Sequence, residues 1–174
     1  LSYEFADYTH LNSRYLVDYG YVGDNRVRSR KDKEMCADTK LNLQGVHTLK
    51  LGAEYKVLPQ LALRAGYNFV SGMYKTDAFR NGSVDSPGSY YASTTDYTNW
   101  KATNRLTLGA GYSFGNFGID VAYQYTTTSG DFSPFMSFTH EAGYDDEAYL
   151  DMDAGCVNVK KDRHQFMATL SYKF

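Results

Sequence analysis

The stretch "HQFMATLSYKF", residues 164–174, decides how this sequence is read. Every second residue counted back from its end is apolar or aromatic: Phe174, Tyr172, Leu170, Ala168 and Phe166. The interleaved series is Lys173, Ser171, Thr169, Met167 and Gln165. A period of two marks a strand, because successive Cβ atoms point to opposite faces of a sheet. Chain ends are more often frayed and polar, so this tail answers to a constraint other than solubility.

Five further segments alternate in the same way. In 46–57 ("VHTLKLGAEYKV") Leu49, Leu51, Ala53, Tyr55 and Val57 oppose Thr48, Lys50, Gly52, Glu54 and Lys56. In 61–69 ("LALRAGYNF") Leu61, Leu63, Ala65, Tyr67 and Phe69 oppose Arg64, Gly66 and Asn68. In 104–114 ("NRLTLGAGYSF") Leu106, Leu108, Ala110, Tyr112 and Phe114 oppose Arg105, Thr107 and Ser113. In 117–127 ("FGIDVAYQYTT") Phe117, Ile119, Val121, Tyr123 and Tyr125 oppose Asp120, Gln124 and Thr126. The opening residues place Leu1, Tyr3 and Phe5 against Ser2 and Glu4. A Leu–small–Tyr phrase recurs in "LKLGAEY", "LRAGYNF", "LTLGAGY" and "ATLSYKF". It predicts strands that meet one layered environment at one depth.

The connections alternate too. "LPQ" and the dipeptide Gly115–Asn116 read as hairpin turns, whereas 10–45, 75–102 and 129–161 are long and polar. Compact domains seldom carry three such connections. In an up-and-down meander they all fall on one rim and the tight turns on the other. Two weaker segments, 14–22 and 132–138, would raise the strand count to eight; read as loop structure they leave a regular meander of six.

Composition narrows the class. The 174 residues include 17 Tyr and 10 Phe, an aromatic content of 16% that suits strand surfaces and membrane interfaces. A net charge of −2 from 18 basic and 20 acidic residues gives no electrostatic reason to expect nucleic acid. No run of 18 apolar residues is present, so no transmembrane helix is expected. The chain opens without Met and in mid-strand, which suggests a piece of a longer protein.

Period two alone does not say whether the apolar face looks into a core or out to lipid. A lipocalin-like soluble barrel puts Leu, Ala and Tyr inside; an outer-membrane barrel turns them outward and keeps a polar lumen. Loop asymmetry favours the second, and so does the aromatic placement. Tyr55, Tyr112, Phe114, Phe117, Tyr172 and Phe174 gather at the short-turn rim, with Tyr123 and Tyr125 towards the other. The final strand resembles the C-terminal signature of bacterial outer-membrane proteins. That resemblance implies that Tyr172 and Phe174 form a signal read by the barrel-assembly machinery. The expected class is all-β: a transmembrane antiparallel up-and-down β-barrel, integral to a bacterial outer membrane.

The run "LKLGAEYKVLPQLALRAGYNF", then "NRLTLGAGYSFGNFGIDVAYQY" and the last strand, resembles the C-terminal part of FadL-like outer membrane transport proteins. These are the long-chain fatty-acid and aromatic-hydrocarbon channels. The Tyr-rich flavour is similar to Bacteroidetes members, some labelled hemin receptors. The resemblance implies a barrel of about fourteen strands, of which residues 1–174 supply about the last six as part of one domain. It also implies passive uptake of hydrophobic small molecules, without enzymatic chemistry or cofactor, the gate and hatch lying upstream. The alternative is a small eight-stranded outer-membrane barrel with a structural or adhesive role.

Several side-chain groups are candidates for function. Glu4, Lys50, Glu54, Lys56, Arg64, Arg105, Asp120, Gln124 and Lys173 belong to the polar, lumenal face, where opposite charges pair across strands. Among them Arg64, Arg105, Asp120 and Gln124 are the candidate substrate contacts. Arg26, Arg28, Arg30, Lys31 and Lys33 form a basic loop, either solvated or bound to lipopolysaccharide phosphates. Acidic residues in 141–153 offer oxygen ligands for a divalent ion but lack the EF-hand spacing. Cys36 and Cys156 fall in long loops of one rim and are candidates for a disulfide, or for two free thiols. His140 near Asp145 and Asp146 has no accompanying nucleophile, so no enzyme is expected.

Overall fold

The computed structural model describes residues 1–17, 28–86, 96–138 and 153–174. Six strands form one sheet: β1 (Ser2–Asp7), β4 (Gly45–Leu58), β5 (Leu61–Val70), β6 (Tyr97–Phe114), β7 (Phe117–Ser133) and β8 (Val157–Tyr172). Their order in space is β1-β4-β5-β6-β7-β8, antiparallel at every step. This is the expected meander. The sheet is open, with β1 and β8 as its two edges.

The two tight turns are as short as expected. Leu58 pairs with Leu61, and a bulge at Val57 sets the β4–β5 corner. Phe114 pairs with Phe117 around Gly115, whose φ of +57° and open surroundings are those of a two-residue hairpin turn.

The long connections differ from expectation. The first holds β2 (Arg14–Val17) and β3 (Arg28–Lys31), paired as a separate two-stranded sheet, and a helix, α1 (Lys33–Asn42). Asp32 caps α1 by accepting from Met35 N at 2.9 Å, with Glu34 in the first turn and Lys40 in the last. This Asp–x–x–Met start was readable, but period-two alternation gives no signal for it. The described part of the segment 14–22, Arg14–Val17, therefore pairs outside the main sheet, and 18–22 lie outside the described residues. The segment 132–138 adds no strand to the main sheet: Phe132 and Ser133 finish β7, and Ser137 makes a lone bridge to Asn81. β6 and β7 also run further than their alternating cores, to 18 and 17 residues, which shortens the loops between β5 and β8.

Among the described residues no hydrophobic side chain is buried. The two faces nevertheless differ sharply. On one, Ala168, Val121, Ala110, Leu63 and Tyr55 stand in a row across β8 to β4. On β7 this apolar series runs from Phe117 to Tyr125 and then turns polar with Thr127, Ser129 and Asp131. Those nine residues span about 30 Å along a strand and roughly 21 Å across a slab when tilted by ~45°. A sheet of this kind has no core of its own. Its apolar face needs a second apolar phase to cover it.

Candidate functional site

The opposite face gathers the charged residues. Arg64 on β5 sits between two carboxylates: its Nε donates to Glu54 Oε2 at 2.7 Å and its Nη1 to Asp120 Oδ1 at 2.6 Å. Glu54 is on neighbouring β4, but Asp120 is on β7, so the guanidinium reaches across β6. Two glycines make that reach feasible. Arg64 pairs with Gly109 and Asp120 with Gly111, and a Cβ on Gly111 would run into the Asp120 carboxylate.

Two carboxylates against one guanidinium leave the cluster one negative charge in excess. Nε and Nη1 of Arg64 are engaged by carboxylates of its own sheet, which makes it a poor partner for a further carboxylate. The expected contact between Arg64 and a substrate acid group is thus opposed by its own neighbours. Replacing Arg64 by Met leaves Glu54 and Asp120 facing each other unneutralised. A lower unfolding midpoint is expected, with most of the loss recovered in the Arg64→Met/Glu54→Gln/Asp120→Asn variant. No recovery would show that packing of the long side chain, rather than charge, sets the effect.

Nearer the long loops lies a second polar row: Lys50, Asn68, Arg105, Thr126 and Arg163, aligned across β4 to β8. It holds three cations and no carboxylate, though Glu4 approaches Lys50 to 3.7 Å from the adjacent row. Arg105 Nε makes a long 3.4 Å contact to Thr126 Oγ1. Beside it, Asn68 Oδ1 is buried with no hydrogen-bond partner, a condition that water or a ligand normally relieves. Gln124 Nε2 donates to Gln165 Oε1 at 2.8 Å between the two rows. The floor separating them is a hollow of about 650 Å³ lined by Gly52, Gly66, Thr107, Gly109, Ala122 and Met167.

The four candidate contacts therefore share one face, and the structure separates them into two environments. Arg64 and Asp120, with Glu54, form the ion cluster and line one side of the hollow; Arg105 and Gln124 stand outside its lining, towards the loop-side row. Cys36 and Cys156 are unbridged: Cys36 Sγ lies 3.8 Å from the Ser13 carbonyl oxygen, and Cys156 is exposed. His140, Arg26 and the acidic segment up to residue 152 lie outside the described residues. Among the described residues no group of three or more His, Cys, Asp or Glu stands together as a metal site.

The aromatic rims are more specific than the strand pattern indicates. At the short-turn rim the rings of Tyr112, Phe114, Phe117, Tyr172 and Phe174 follow one another at centroid distances of 4.8 to 6.1 Å. At the loop-side rim two Tyr–His pairs appear. Tyr3 Oη is 2.7 Å from His47 Nδ1, and Tyr123 Oη is 2.7 Å from His164 Nδ1. Both histidines fall on the apolar series of their strands, one step beyond Leu49 and Phe166, and that parity was the signal available in the sequence.

No family model, curated protein or solved structure matches this chain.

Proposed function

We propose that the sheet is part of the wall of an outer-membrane β-barrel that admits small hydrophobic molecules, long-chain fatty acids among them, without an enzymatic step. The observation that carries the reading is the two-faced, coreless sheet. Its apolar face is banded by aromatic rims at a spacing close to the ~25 Å apolar belt of membrane barrels, and its other face is charged. A soluble sheet of this area would need a second layer packed on the apolar face. Lipid supplies that phase directly. In this reading β1 and β8 are closed by further strands of the same barrel, since single-chain barrels begin at about eight, and the outer leaflet's lipopolysaccharide meets the loop-side rim.

The lumenal face suits an amphipathic cargo. A carboxylate headgroup finds Arg105, Lys50 and Arg163 in one row, while the glycine floor leaves room for a chain beside Ala122 and Met167. Oleate titrated into the detergent-solubilised full protein should bind saturably, and Arg105→Ala should weaken it by about tenfold, the scale of one charge-assisted contact. Absence of saturable binding for fatty acids and for neutral hydrocarbons would count against the channel reading.

A further inference from the structure

The loop-side end of the sheet carries a cavity that a lipid-facing wall does not require. It measures about 550 Å³ and has Tyr74, Phe79, Tyr97 and Trp100 in its lining, a size ordinary for small-molecule sites. Its walls are tied down by side chains. Gln44 Nε2 donates to the carbonyl oxygens of Gly72 and Tyr74, both at 3.1 Å. Asn99 Nδ2 donates to Ala78 O at 2.6 Å, and Tyr97 Oη accepts from Arg80 N at 3.1 Å. Phe79 N donates to Asn42 Oδ1 at 3.0 Å. The segment after β5 is thereby fastened to β6, β4 and the end of α1, so the rings occupy a fixed frame.

The charges around this frame do not balance. Lys101 Nζ lies 2.8 Å from Asp131 Oδ2, an ion pair that neutralises both and holds the Asp131 carboxyl below its ordinary value. Lys75 Nζ is drawn away to Lys40 O at 2.9 Å. Asp77 and Asp153 also line the cavity, and among the described residues neither faces an ammonium or guanidinium. Among the described residues Asp153 accepts from the Ser137 hydroxyl alone, at 3.2 Å. Aromatic faces attract cations, most strongly where water is excluded, and uncompensated carboxylates add a counter-charge.

We infer that this cavity binds a small organic cation, its ammonium group against the aromatic rings and balanced by Asp77 and Asp153. The lining sets Asp77, Asp131 and Asp153 against Lys75 and Lys101, one negative charge in excess, so an anionic guest meets a net opposing charge and a neutral one gains nothing from it. This site is separate from the lumenal row around Arg105, so either can fail without the other.

Trp100 is the only Trp among the 174 residues and Cys156 lines the same cavity, which gives two local readouts in the full protein. Phenyltrimethylammonium and tert-butylbenzene have the same shape and differ in charge. The cation should change Trp100 fluorescence saturably and slow maleimide alkylation of Cys156, binding about tenfold tighter than its neutral isostere. Trp100→Phe should remove the optical signal while leaving the alkylation protection. Asp77→Asn/Asp153→Asn should erase the preference for the cation while the unfolding midpoint is kept. Equal affinity for the isostere, a preference that survives the double variant, or no saturable change with either probe in folded protein overturns the inference.

Discussion

Val121→Lys is expected to cost about 2–4 kcal/mol and to block stable insertion, whereas Ala122→Lys should cost about 1 kcal/mol or less. The two residues are neighbours on β7 with opposite surroundings. Val121 lies midway along the apolar series between Ile119 and Tyr123, in register with Ala110 and Ala168, and is half exposed. In the proposed wall that exposure is to hydrocarbon at mid-depth, where an ammonium has neither water nor a partner. Ala122 stands in the row of Arg64, Gly109 and Met167, beside the Glu54–Arg64–Asp120 cluster with its one negative charge in excess. A lysine there is solvated and attracted. Membrane yield and heat-modifiable gel migration of the two variants measure the difference. The reverse ranking would mean that the face of Ala122, not that of Val121, meets the apolar medium; equal losses would mean that neither face meets lipid.

Alternation made the strands legible. Each of the six segments was visible because every second residue had to satisfy one medium and its neighbours another, and a one-residue slip would exchange the two. Strand length was less visible. β7 continues through Thr127, Ser129 and Gly130 to Ser133, where both parities are mainly polar and alternation carries no contrast. α1 and the β2–β3 hairpin depend on capping and local pairing rather than on a two-phase pattern, so they did not register.

The candidate site shows the same division. Parity assigns Glu54, Arg64, Asp120, Arg105 and Gln124 to one face without fixing their register. Register is what turns Arg64 from a free cation into the centre of an ion cluster and leaves Arg105 in a carboxylate-free row. The cavity around Trp100 joins residues from 44 to 156. Nothing in local sequence brings Phe79 or Asp153 beside β6, because that proximity arises from loop stitching.

The last residue separates stability from assembly. Phe174 lies beyond the final paired residue, Tyr172, and is fully exposed. Its one ring contact is edge-on to Tyr172 at 5.5 Å, worth about 1 kcal/mol at most. The last backbone tie, Lys173 N to Asn116 O at 2.9 Å, does not need it. Deleting Phe174 should therefore leave the unfolding midpoint of refolded protein nearly unchanged while yield in the outer membrane falls several-fold. Phe174→Ala, which keeps the chain length, should behave in the same way. Tyr172→Ala should differ, because Tyr172 also packs on Phe117 at 4.8 Å, and both stability and yield should drop. Unchanged yield without Phe174 would remove its role as an assembly signal; a matching loss of stability in detergent would reassign it to packing at the rim. The proposed assembly role rests on this contrast: an aromatic residue that contributes little to the fold, yet keeps the alternation of β8 beyond its last paired residue.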